Sequence, residues 1–370
     1  MRFVILSGEA SGDLYGADLA EALFDRYPGC QVEGIGSSRM EAAGVTLWHD
    51  SRDWGAIGFL EGLKLYPRLK LLLTRVFRRL RANKPDLFIP IDFGAANVRL
   101  AKYARKHGIK TLYYMPPGSW RKWTQGPDLP QAADAIATPF SWSAELLQAA
   151  GARAEWVGHP LLRLSRPTLD RKTLCEQLGL SADKPIVALL PGSRKHEVSA
   201  MGPLFLKTAK LIRQKLPGAQ FVVSQTRFID EAMIKGHEGT RLYSGPAVNI
   251  LAASDAALCC SGTVTLEAAI QRVPMVIAYT SALIRLEGFI REKFIKLAHI
   301  GLPNIILDRR VCPEFVMREV TIENLAPAML EILSNSEARH LQIAALSEVR
   351  SALDNGDSRE NLMRLIAELL

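Results

Sequence analysis

Ile186-Val187-Ala188-Leu189-Leu190-Pro191-Gly192-Ser193-Arg194, running on to Glu197 and Val198, is the stretch that decides the fold. An unbroken apolar run reads as a parallel strand buried on both faces, and Pro191-Gly192 must end it. Arg194 therefore emerges at the carboxyl edge of a sheet, where an α/β domain holds its ligand. Its guanidinium offers a diphosphate a planar fork of donors that a lysine lacks. A surface turn carrying a structural charge has the same local appearance.

Ala256 to Cys260 is a second such run. Ser261-Gly262-Thr263-Val264-Thr265-Leu266-Glu267 leads from it into a helical stretch over Glu267 to Gln271. Gly262 lets a ligand approach the backbone, Ser261 and Thr263 are candidate caps, and the first-turn amides of the helix attract an anion. Glu267 suits ribose hydroxyls, and near the first-turn amides it suits a capping role equally. Two strand-turn-helix loops in one half of the chain point to a nucleotide diphosphate, with Gly192, Ser193, Arg194, Ser261, Gly262, Thr263 and Glu267 as candidate ligands.

Working outward, strands and helices alternate. Phe3 to Leu6 reads as a strand, Ser7-Gly8-Glu9-Ala10-Ser11-Gly12-Asp13 as a turn, and the residues through Phe24 as a helix. Strand Leu87 to Ile91, helix Ala95 to Lys106 and strand Lys110 to Tyr114 follow, and Gln220 to Val223 and Met275 to Ala278 continue the pattern in the second half. Such alternation predicts parallel sheets with helices on both faces. It breaks at Gly158-His159-Pro160, where Pro160 and Pro167 bracket a short basic stretch. The expected organisation is an N-terminal Rossmann-like domain over 1–160, a linker over 161–169, a C-terminal nucleotide domain over 170–357 and a closing helix over 358–370. A chain of 370 residues suits two ordinary domains.

Composition, at 48% hydrophobic and 23% charged residues, excludes a disordered chain. The apolar run after Met1-Arg2 is too short for a signal peptide or a membrane span, so a cytoplasmic location is expected. Cys30, Cys175, Cys259, Cys260 and Cys312 show no C-x-x-C spacing, and reduced core thiols are expected in place of a disulfide framework or metal cluster. Net charge is +8. Lys64, Arg68, Lys70, Arg75, Arg78, Arg79, Arg81 and Lys84 fall in one stretch without an acid, and Leu69, Leu72, Leu73, Val76, Phe77 and Leu80 recur in it at helical spacing. This basic amphipathic helix fits an anionic membrane surface, and equally a core helix with a solvated face. Ile284 to Leu297 repeats the theme. No RNA or DNA motif accompanies the charge, so no nucleic-acid partner is expected.

Two doubly wound domains facing a cleft, with nucleotide loops in the second, is the layout of a GT-B glycosyltransferase. The chain further resembles the lipid-A-disaccharide synthase family along nearly its whole length. The resemblance lies in Ser7-Gly8-Glu9-Ala10-Ser11-Gly12-Asp13, Lys84-Pro85-Asp86 with Ile91-Asp92, Gly158-His159-Pro160, Pro191-Gly192-Ser193-Arg194 with Glu197-Val198, Ser261-Gly262-Thr263 with Leu266-Glu267, and Leu302-Pro303-Asn304.

That resemblance implies an inverting transfer of 2,3-diacylglucosamine from UDP to 2,3-diacylglucosamine 1-phosphate, in lipid A biosynthesis, at the inner face of the cytoplasmic membrane. It adds Asn304 to the donor site. No D-x-D pair is evident and no metal or cofactor is expected; Arg194 and a helix N-terminus can offset the leaving-group charge. Asp92, at the end of a strand, is the candidate base, with Glu9 and Asp13 as alternatives, each also suited to capping. Ser11, Asn97 and Trp120 are candidates for the acceptor side, with Arg75, Arg78 and Arg79 facing the membrane. Gly94-Ala95-Ala96 stand where the family carries Pro-Asp-Phe before its asparagine, and Pro116-Pro117-Gly118-Ser119-Trp120-Arg121-Lys122-Trp123 replaces Ser-Pro-x-x-Trp-Ala-Trp. These departures keep open a UDP-sugar transferase or epimerase with another acceptor, and a non-catalytic UDP-sugar-binding descendant. An oligomer is compatible with all three.

Overall fold

The first sheet joins β1 (Arg2–Ser7), β2 (Gln31–Gly36), β3 (Thr46–Asp50), β4 (Leu87–Ile91), β5 (Leu112–Tyr114), β6 (Ala135–Thr138) and β7 (Ala154–Trp156). Its spatial order is β3-β2-β1-β4-β5-β6-β7, with every pairing parallel. The second joins β8 (Ile186–Leu190), β9 (Gln220–Ser224), β10 (Thr240–Tyr243), β11 (Ala256–Cys260), β12 (Met275–Tyr279) and β13 (Glu314–Val316) in the order β10-β9-β8-β11-β12-β13, again parallel. The computed structural model describes residues 1–52, 59–118, 128–226, 228–280 and 298–370.

Helices cover both faces of each sheet, which is why β4, β8 and β11 read as unbroken apolar runs. In the first sheet Val4, Leu6, Ile35 and Phe88 pack with Val76 and Leu80 of the helix Phe59–Ala82 and with Leu100 and Ala104 of the helix Gly94–Lys106. Leu19 and Leu23 of the helix Ala10–Arg26 are buried as well. Val187, Leu189, Leu258 and Val276 form the corresponding core of the second sheet with Phe205 of the helix Lys195–Lys215 and Met329 of the helix Ile322–Ser334.

The chain divides into two compact units, Met1–Pro160 with Leu353–Leu370, and Leu161–Ala352. Residues 161–169, read from sequence as a linker, contain the helix Leu161–Leu164 and belong to the second unit. The helix Ser358–Leu369 returns to the first unit, packing on the helix Ala10–Arg26 with Leu362, Leu365 and Ile366 buried. Arg359 fixes it there through Asp18 and Glu21, each at 3.1 Å.

His159 is buried beside the rings of Tyr15 and Phe140, with centroids 6.1 and 5.7 Å away. Burial lowers its pKa to about 3. All five cysteines are buried free thiols. Among the described residues no helix is long and apolar enough to cross a membrane.

Candidate functional site

Strand register brings three loops of the first unit together. Ser7 on β1 pairs with Ile91 on β4, and Ile91 with Tyr114 on β5. Gly8, Asp92 and Met115 therefore leave the sheet side by side at its carboxyl edge. Asp92 (φ 46°), Phe93 (φ 49°) and Met115 (φ 53°) all adopt the left-handed conformation there. Each such non-glycine residue costs about 1–2 kcal/mol, so tertiary contacts must hold them. Asp92 is half-buried. Its carbonyl accepts the Tyr113 hydroxyl at 2.8 Å and Asn97 Nδ2 at 3.1 Å. Phe93 lies so close to Gly8 that a Cβ on Gly8 would sit 2.4 Å from the ring, and one on Gly94 would sit 2.6 Å from Pro117.

The other acceptor-side candidates divide. Glu9 is the half-buried N-cap residue of the helix Ala10–Arg26 without a side-chain cap bond, and Ser11 is half-buried in its first turn. Asp13 caps a different helix from the one expected. Its carboxylate accepts the backbone N–H groups of Ser37, Arg39 and Met40 at the start of the helix Ser38–Ala42. Asn97 is 2% exposed, and its Nδ2 ties together the carbonyls of Leu6, Ile91 and Asp92. Trp120, Trp123 and the stretch Ile284 to Leu297 lie outside the described residues, as do the side chains of Lys64, Arg68 and Lys70. On the basic helix Arg75, Arg78 and Arg79 are exposed and Leu71 is 53% exposed, while the Arg79 guanidinium lies 5.1 Å from the Trp48 ring centroid.

In the second unit β8 and β11 are neighbours, so Arg194 and Ser261 leave the sheet on adjacent loops. Glu197 organises the first loop. Its Oε2 accepts the Ser193 and Arg194 backbone N–H groups at 3.1 and 3.2 Å, and its Oε1 accepts Arg194 Nη1 at 3.3 Å. Gly192 (φ 111°) is obligatory, since a Cβ would sit 2.6 Å from Glu197 Oε2. The arginine side chain is 35% exposed, between exposed Ser193 and Lys195.

On the second loop Gly262 itself is the N-cap of the helix Thr263–Ile270, and neither Ser261 nor Thr263 caps it. Ser261 donates its hydroxyl to the Ile300 carbonyl at 2.8 Å. Glu314, which sequence reasoning missed, holds that segment by accepting the Ile300 and Gly301 N–H groups and pairing with His299 at 2.8 Å. Gly262 is exposed, and Thr263 and Glu267 are half-buried. Asn304 is fully buried, its amide bound to Val311 N, Cys312 N and Cys312 O, which makes it a brace for the 311–312 loop.

Two doubly wound parallel units, with Arg194 and Ser261 on adjacent loops at the carboxyl edge of the second, are the architecture of the GT-B fold class. Solved structures share this fold. The UDP-GlcNAc 2-epimerase of Neisseria meningitidis bound to UDP-GlcNAc superposes with a TM-score of 0.67 at 10% identity, over 100% of both chains. The Methanocaldococcus jannaschii UDP-GlcNAc 2-epimerase in complex with UDP-GlcNAc and UDP gives 0.65 at 13% identity, again over 100% of both. The chain belongs to the lipid-A-disaccharide synthetase family, whose sequence model matches residues 3–367. A lipid-A-disaccharide synthase of Coxiella burnetii is 33% identical over 99% of this chain and 98% of its own length. That of Syntrophus aciditrophicus is 35% identical over 95% of this chain and 93% of its own.

Proposed function

We propose that this protein transfers 2,3-diacylglucosamine from its UDP form to the 6-hydroxyl of 2,3-diacylglucosamine 1-phosphate. Asp92 takes the hydroxyl proton as O6 attacks the anomeric carbon from the face opposite the phosphate. The bond from that carbon to the UDP oxygen breaks with inversion, giving a β(1→6) disaccharide. UDP departs with its charge met by Arg194 and by the N-terminal amides of the helix Thr263–Ile270. Gly262, Thr263 and Glu267 line the donor site. Asp13, Asn97 and Asn304 are assigned to the scaffold, Glu9 and Ser11 to the acceptor side. The helix carrying Arg75, Arg78 and Arg79 works at the anionic inner face of the cytoplasmic membrane, where acylated substrates reside.

The observation that carries this reading is Asp92 and Phe93 in successive left-handed conformations at the end of β4. Backbone strain of this kind is retained where the surroundings impose it, and it clusters at active sites. A different acceptor is the second reading, favoured by Gly94-Ala95-Ala96 in place of a second carboxylate. The test is incubation with UDP-diacylglucosamine and the 1-phosphate acceptor, with the product identified by mass spectrometry. Disaccharide formation by the wild type, lowered about 10²- to 10⁴-fold in Asp92→Asn with UDP binding intact, supports the transfer. UDP binding without disaccharide favours the other acceptor.

A further inference from the structure

We propose that Asn97 and Tyr113 are positioning residues that lock the Asp92 backbone in its left-handed conformation and so aim the Asp92 carboxylate at the acceptor hydroxyl. The proposal rests on Asp92 as the base and adds how the chain holds it there.

Aspartate tolerates the left-handed region better than most residues, but two such residues in a row at the end of a parallel strand, the second of them a phenylalanine, need tertiary contacts to hold them. Its neighbour Phe93 shares the conformation, so no flanking glycine absorbs the reversal. What opposes relaxation is the Asp92 carbonyl. A rotation toward the ordinary right-handed region swings this oxygen, and both donors on it are fixed elsewhere. Tyr113 is a fully buried β5 residue donating from the adjacent strand at 2.8 Å. Burial chiefly, with the Asp92 charge second, pushes its hydroxyl well above the usual range, so it remains a donor throughout the working pH range. Asn97 lies one turn into the helix Gly94–Lys106, and the same Nδ2 reaches the Leu6 carbonyl at 3.2 Å and that of Ile91 at 3.0 Å. One amide nitrogen thus ties the ends of β1 and β4 to the residue that leaves the sheet.

Both side chains touch backbone carbonyls and point to a role through Asp92. In a catalytic geometry a displacement of about 1 Å costs on the order of 10² in rate, so loosening this clamp should register in turnover before it registers in binding.

The decisive variant is Tyr113→Phe, which keeps the ring and removes the donor. Turnover should fall by about 10- to 100-fold, with KM for the UDP-sugar and UDP affinity unchanged and the thermal transition still cooperative. Asn97→Ala should lower turnover in the same way. If it fails to fold, Tyr113→Phe alone decides. The discriminating measurement is a double-mutant cycle: in an Asp92→Asn background Tyr113→Phe should have no further effect, because it acts only through the carboxylate. An undiminished effect in that background, or wild-type turnover in Tyr113→Phe while Asp92→Asn collapses, overturns the clamp and leaves Asp92 as the base. Normal turnover in Asp92→Asn overturns the base and the clamp with it.

Discussion

Glu197 holds Arg194 at both ends, accepting its backbone N–H at 3.2 Å and its guanidinium Nη1 at 3.3 Å. The carboxylate thereby takes two amides that a phosphate loop would otherwise turn on its ligand, since Ser193 N–H is bound to the same oxygen. On the proposed reading, recognition of the diphosphate on this loop falls to the arginine side chain. Arg194→Ala should therefore weaken UDP binding by about 1.5–3 kcal/mol, the range for a charge-assisted hydrogen bond. Arg194→Lys should recover only part of this, because a point charge does not replace the planar fork. Calorimetry on the two variants checks both; unaltered affinity in the alanine variant removes Arg194 from the donor site.

Gly8 is the contact through which the first loop meets the Asp92-Phe93 turn. Adding one methyl there places a carbon 2.4 Å from the Phe93 ring, and a strained turn has little room to yield. Gly8→Ala should lower turnover by about 10-fold or more through misplacement of Asp92. Gly218→Ala, where a Cβ meets nothing within 4 Å, is the matched control and should leave the rate alone. Equal rates in the two variants would separate Gly8 from catalysis.

His159 carries a pH dependence of stability. Its folded pKa, near 3, lies below the unfolded value of about 6.5, so the unfolded chain binds the proton first. Stability is highest above the unfolded pKa and is lost as pH falls toward 3, by about 2 kcal/mol between pH 7 and pH 5. Denaturant titrations of wild type and His159→Gln across that interval should show the wild type losing this much more than the variant. Parallel curves would count against the buried neutral imidazole.

On the basic helix Arg75 and Arg78 are exposed, whereas the Arg79 guanidinium lies over the Trp48 ring. On the proposed reading each of the first two would contribute about 1 kcal/mol at an acidic lipid surface. Arg75→Gln with Arg78→Gln should reduce sedimentation with acidic vesicles in a salt-sensitive way and spare activity on detergent-dispersed substrate. Vesicles of neutral lipid should bind wild type poorly. Undiminished sedimentation of the double variant would make the helix an ordinary packed element with a solvated face.

Legibility in the sequence followed the physics of burial. Ile186–Leu190, Leu87–Ile91 and Ala256–Cys260 are covered on both faces and so appear as apolar runs. β2 escaped notice because Gly34 interrupts it; that glycine (φ 151°) lets the strand press on β1, where a Cβ would lie 1.8 Å from the Ile5 carbonyl oxygen. Asp92 and Arg194 stand out as candidates in the sequence because each follows an obvious strand. The duties of Asp13, Asn97 and Asn304 could not, because their partners are backbone groups supplied by tertiary structure, as when Asn97 reaches back to Leu6. Tyr113 was hidden as one more apolar residue of β5, its hydroxyl visible as a donor only once β4 lies beside it.

The return of Ser358–Leu369 to the first unit sets an order of events during synthesis. The ribosome delivers the whole contiguous stretch Leu161–Ala352 before it makes the segment that covers the helix Ala10–Arg26. The first unit is translated first yet completed second, against the usual vectorial order in which N-terminal domains finish early. Until then the surface that Leu362, Leu365 and Ile366 will cover stays open to solvent. A chain ended at residue 352 and released should thus carry a complete second unit and an unfinished first one, so that chaperone capture and proteolysis fall on the unit bearing Asp92.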